Sequence, residues 1–172
     1  MRYQVDKGAG PAGVCRVMLT TGHHASIAML YGQNRDEIRR VYCTAWDKHQ
    51  RGLPLEALER QLVAIIGLHP EYHALLADHA AALARDFTPE MGQTNPFLHM
   101  GMHLAIREQL ATDRPAGITA AFGALMARVQ DAHAAEHRMM ECLGEALWQA
   151  QRNGQTSDEA RYLECLRQLA GG

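Results

Sequence analysis

Between Pro96 and Ala111 the chain reads PFLHMGMHLAIREQLA. On a helix this stretch is apolar on nearly every side, and a helix of that kind is buried rather than laid on a surface. Yet it carries His99 and His103 one helical turn apart, placing two imidazoles where apolar packing is the ordinary content. The same spacing returns as His133 and His137 in DAHAAEHRMMECLGE, and as His69 and His73 in LHPEYH. With ten histidines in 172 residues, random placement gives roughly half of one such pair, and residues at this spacing are neighbours on a helix surface.

Advancing about 100° per residue, His133 and His137 share a face with Met140, Gly144 and Leu147, while Arg138, Cys142 and Gln149 lie opposite. The two rings therefore point into the core, with Glu136 and Glu141 at its edges. His133, His137 and Glu141 can line a site from one helix. His99 and His103, which share a face with Met102, Ile106 and Leu110, supply a facing wall, and His69 with His73 a third. Glu108 points away and reads as a capping or surface group. Imidazoles one turn apart converge on a single cation, and histidine–carboxylate sets drawn from several helices hold one or two metals inside a bundle. The expected cofactor is a divalent metal such as iron or zinc; imidazole also suits copper and nickel, and carboxylate argues against copper(I). Glu71 and Glu136 can serve as hydrogen-bond partners of ligands rather than ligands themselves.

A second reading competes. Paired histidines can build a metal-free polar network with Tyr72, Glu136 and Arg107 that fixes helix register, which would make the chain a non-catalytic interaction or regulatory module. Motifs do not decide between the two. HAAEH matches the H-x-x-E-H arrangement of inverzincins in letters only, and HExxH, the P-loop, the dinucleotide fingerprint, the serine elbow and the paired ExxH of ferritin-like sites are all missing. No reaction follows, and whether the chain is an enzyme is left open.

Composition narrows the partners. Lys plus Arg is 17 against 19 for Asp plus Glu, a net charge of -2, without the basic stripe of a nucleic-acid surface. No run approaches the roughly twenty apolar residues of a membrane span. Nucleic acid and membrane are thus excluded as expected partners, while a homo-oligomer is compatible with the sequence. Cys15, Cys43, Cys142 and Cys165 have no CxxC spacing and read as reduced, structural thiols, which fits a cytoplasmic location.

Strand alternation is absent along the chain, so the expected fold class is all-α, a compact bundle of five to seven helices. Residues 1–28, including His23 and His24, read as a disordered extension or a segment before a natural start at Met29, and residues 29–170 as one helical domain. The expected helices are NRDEIRRVYCTAWDKHQ, closed by Gly52; LPLEALERQLVAIIGLHP, opened by Pro54; and a short one, PEYHALLADHAAALA, begun by Pro70. After a loop over DFTPEMGQTNP come the histidine helix from Pro96, ITAAFGALMARVQ, HAAEHRMMECLGEALWQAQRNG ended by Asn153-Gly154, and DEARYLECLRQL behind Ser157.

In order along the chain, YGQNRDEIRRVY, AWDKHQRGLPLE, LHPEYH, DFTPEMGQTNPFLHMGMHLAIREQ, DRPAGI, DAHAAEHRMMECLGEALWQAQRNG and YLECLR resemble the bacterial family known as domain of unknown function 1841, over about residues 30–169. The resemblance implies a small helical protein and carries no activity with it. Hemerythrin-like bundles offer an analogy of fold alone, since their ligand spacings differ.

Overall fold

The structure is a computed structural model, described for residues 34–87 and 94–171. The expected N-terminal extension, and most of the loop expected after Asp86, lie outside the described residues. Eight α-helices are present among the described residues: α1 (Arg35–Gln50), α2 (Ala57–Ile66), α3 (His73–Ala77), α4 (His79–Ala84), α5 (Pro96–Thr112), α6 (Ile118–Val129), α7 (Ala132–Asn153) and α8 (Glu159–Leu169). A single 3-10 turn, Pro70–Tyr72, precedes α3, and no strand occurs among these residues. The all-α bundle is as expected, with one helix more than the upper count. The extra one arises because PEYHALLADHAAALA does not run as one helix. Asp78 leaves helical geometry (φ -101, ψ 88) and its side chain accepts from Ala81 N–H, so it ends α3 and caps α4. Aspartate favours this local bond over a place inside a helix.

Several other boundaries follow from capping chemistry. Asn34 accepts from Asp36 N–H while Glu37 reaches back to Asn34 N–H, a capping box that starts α1. Glu59 does the same for Glu56 N–H, so α2 starts at Ala57 and Pro54 stands ahead of the helix rather than inside it. Asn95 accepts from Phe97 and Leu98 N–H, with Pro96 in the first turn where its missing N–H costs nothing. Asp131 caps α7 through Ala134 N–H, and Gly154 ends that helix with φ +62. The last helix is capped by Asp158, not Ser157, through Arg161 N–H.

Two apolar clusters form the interior. One gathers Tyr42, Trp46, Leu62, Ile65, Ile66 and Leu76 from α1–α3 around Phe97, Met100 and Leu104 of α5. The other gathers residues of α6, α7 and α8, including Ile118, Leu125, Met139 and Leu166, around Ile106 of α5. Helix α5 thus runs through both, which is why its sequence is apolar nearly all round. Its hydrophobic faces are divided between two partners.

Polar and covalent links brace each half. The buried Arg39 guanidinium donates to the carbonyls of Ala82, Leu83 and Arg85 at 2.9, 3.1 and 2.7 Å, closing the end of α4 where unpaired carbonyls and the helix dipole favour a cation. It also lies over the rings of Phe87 and Phe97. In the other half a disulfide joins Cys142 of α7 to Cys165 of α8. This corrects the reading of all four cysteines as reduced: facing positions on packed helices bring the two thiols together, a relation that sequence spacing does not carry. Cys43 alone among the described cysteines is free, and it is buried. The ground for expecting a cytoplasmic location is thereby removed. No helix among the described residues is long and apolar enough to cross a membrane.

Candidate metal centre

Where α2, α5 and α7 meet, between the two clusters, the histidines come together. His69 follows the end of α2 with φ -126 and ψ 66, an extended geometry imposed by Pro70, whose ring disfavours helix in the residue before it. The imidazole folds back over α2 and its Nδ1–H donates to the Ile65 carbonyl at 2.9 Å. Tyr72 stacks on the ring at 5.4 Å with 4° between planes. His69 Nε2 is thereby aimed at the junction, where it lies 3.0 Å from Nε2 of His99, 3.2 Å from that of His103 and 3.1 Å from that of His133. His137 Nε2 is 3.2 Å from His99 Nε2. His69, His99, His103 and His137 each present one ligand atom within 4.8 Å of the others, a set that could hold a metal ion. His133 joins them through His69.

Glu136, buried between His133 and His137 in sequence, faces His103. His103 Nδ1–H donates to Glu136 Oε2 at 2.6 Å, and Arg107, one turn along α5, donates to both carboxylate oxygens at 2.9 and 3.3 Å. Burial pushes the Glu136 carboxyl up, but the bonds from His103 and Arg107 more than reverse this, so it is held below the ordinary value. An ionised carboxylate on Nδ1 fixes the His103 tautomer and leaves Nε2 with its lone pair, the arrangement in which histidine binds metals.

Burial, and then the neighbouring imidazoles, lower the proton affinity of His99 to a pKa of about 4. Burial also lowers that of His103, against the opposing pull of Glu136, and that of His133. The rings therefore favour their neutral forms. With the Nδ1–H of His69 on the Ile65 carbonyl and that of His103 on Glu136, the two Nε2 lone pairs face each other 3.2 Å apart. Two acceptors make no hydrogen bond. Charging His103 would put one proton in that contact, but His69 Nε2 has a single in-plane lone pair and two further imidazole nitrogens at 3.0 and 3.1 Å.

The remaining candidates lie elsewhere. His73 donates from Nε2 to the Ile66 carbonyl at 2.9 Å and packs on Trp46 at 4.3 Å. Pro70 breaks the helix between it and His69, so the one-turn relation that would have paired them does not exist. Glu141 is exposed and pairs with Arg138 at 3.2 Å, because each four-residue step along α7 turns about 40° and two such steps from His133 leave the junction. Glu108 is half-buried rather than on the surface. What the sequence does not signal is the Ile65 carbonyl, a backbone atom that any residue would supply, and the Tyr72 stack.

Comparison with characterised proteins and with solved structures gives no match for this chain. A family model does match, over residues 34–168, a span that takes in all five converging histidines, Glu136 and Arg107: the chain belongs to the family described as Domain of unknown function (DUF1841).

Proposed function

We propose that this protein is a metal-binding helical bundle in which His69, His99, His103 and His137, with His133 beside them, hold a divalent transition metal through Nε2. The crowding at His69 Nε2 carries the reading: three imidazole nitrogens stand 3.0 to 3.2 Å away, while its own proton is spent on the Ile65 carbonyl. A metal-free network can make a good hydrogen bond in only one of those contacts, since His69 Nε2 has one lone pair, and close contacts between buried polar atoms are rarely left unbonded. A cation turns the same lone pairs into ligands. Nitrogen ligands suit iron and zinc alike, and the Glu136 carboxylate on His103 supplies the outer hydrogen bond that orients a ligating imidazole.

Elemental analysis by plasma mass spectrometry on the untagged full chain, beside a His99→Ala/His137→Ala double variant, tests the proposal. Stoichiometric iron or zinc in the wild type, lost in a variant whose circular dichroism stays helical, is the expected result. A wild-type protein that stays metal-free after reconstitution with iron, zinc or manganese overturns it and favours the structural network.

A further inference from the structure

Of the five imidazoles at the junction, one stands apart. His69, His99, His103 and His137 present ligand atoms within 4.8 Å of one another, and His133 is outside that set. Its Nε2 instead lies 3.1 Å from His69 Nε2, with the two rings at 89° and their centres 4.7 Å apart. What passes between those nitrogens is settled at the other end of His69. With its Nδ1–H on the Ile65 carbonyl, His69 is an acceptor at Nε2, and its one lone pair takes one hydrogen.

Three imidazoles surround that lone pair, and they are not equally placed to donate. His103 has its N–H on Glu136 and so presents a second lone pair. His99 Nε2 is shared between His69 at 3.0 Å and His137 at 3.2 Å, so a hydrogen between His99 and His137 serves both of those rings. His133 Nε2 has its hydrogen-bond contact with His69. A hydrogen on His133 Nε2, donated to His69, therefore completes one consistent pattern for the metal-free chain. In that pattern the His69 lone pair needed by an ion is already engaged.

Resting on the metal-binding reading above, we infer that His133 is a competitor for the His69 lone pair rather than a ligand: it donates from Nε2 to His69 in the metal-free chain and yields that contact when His69 binds the ion. Metal affinity is then lower by the net worth of one internal hydrogen bond, about 2- to 10-fold.

Two readouts on the full chain test this. In the metal-free protein, long-range proton–nitrogen correlation spectra of the imidazoles should place the His133 hydrogen on Nε2 and the His69 hydrogen on Nδ1. Zinc affinity, read by competition with a coloured chelator, should rise about 2- to 10-fold in His133→Leu and return near the wild-type value in His133→Gln, whose side-chain NH2 can donate in place of the ring. A leucine variant that binds zinc no more tightly than the wild type overturns the inference, and weaker binding makes His133 a ligand. A hydrogen found on His133 Nδ1 overturns it equally, and that readout stands even where the leucine variant does not fold. In each of those cases metal binding itself survives. A wild-type chain that takes up no zinc overturns the metal reading instead, while the nitrogen spectrum still decides whether His133 donates to His69.

Discussion

Replacing Glu136 with glutamine tests the chemistry of the site without removing a ligand. The carboxylate accepts from His103 Nδ1–H at 2.6 Å and from Arg107 at 2.9 and 3.3 Å. An amide has one oxygen and one NH2 in the same space. If the oxygen stays on His103, the NH2 group meets the donors of Arg107. If it turns round, NH2 meets His103 Nδ1 and drives the ring proton to Nε2, where it occupies the lone pair proposed to hold the metal. Loss of such an outer hydrogen bond lowers metal affinity about 10- to 100-fold, or about 1.4 to 2.8 kcal/mol. The metal-free protein should also lose about 1 to 2 kcal/mol, less than the roughly 3 to 5 kcal/mol of a fully buried ion pair, since the Arg107 side chain is 30% exposed. Competition with a coloured chelator reads the first quantity and urea unfolding of the metal-free protein the second. A variant that binds metal as tightly as the wild type refutes the reasoning, whatever happens to its stability.

Three further outcomes follow. Arg39→Met leaves three carbonyls at the end of α4 without their donor and should cost about 2 to 3 kcal/mol in urea unfolding, with metal content unchanged; a neutral substitution would mean that water replaces the guanidinium. Reducing the Cys142–Cys165 disulfide, which spans 23 residues, should lower stability by about 3 kcal/mol through the freed unfolded chain, and identical unfolding midpoints with and without reductant would contradict this. The metal-free protein should also be acid-sensitive. Burial holds His99 at a pKa of about 4 in the fold against an ordinary histidine value of 6.5, and His103 and His133 are shifted the same way, so the unfolded chain takes up protons first and stability falls as pH drops from about 6.5 toward 4. His99 alone contributes on the order of 2 kcal/mol once its partial exposure is allowed for. Metal-free stability that is flat across that window would show that these rings are not desolvated.

Much of this was legible because helices advertise themselves through period and caps. The apolar circumference of α5 foretells burial between partners, and the projection of α7 turns His133 and His137 inward, where they are found. Projection fails where its premise of a continuous helix fails. His69 and His73 look paired in LHPEYH, but Pro70 separates them, and only the one freed from helical geometry reaches the junction. Glu141 looks aligned with His133 and His137, yet a 40° drift repeated twice from His133 carries it to Arg138 at the surface. The disulfide and the Asp78 break depend on what faces what after packing, and on a local hydrogen bond competing with a helix. Neither leaves a periodic trace.

Fold and site are one construction here. The imidazole layer separates two apolar clusters that share only α5 as a common wall, and its members come from the end of α2, from α5 and from α7. In the metal-free chain the opposed lone pairs work against closure of that seam, so the packing of both clusters must offset the repulsion. A cation bound there would reverse the sign, and its binding energy would then add to the folding energy of the bundle. Anchoring is uneven in a way that suits this. The two buried rings, His69 and His103, have their second nitrogens fixed by the Ile65 carbonyl and the Glu136 carboxylate, so the inner wall is set before any ion arrives. His99, His133 and His137 stand on the half-buried side. Any ion bound there would meet two rings already held by other partners and three that stand nearer the surface.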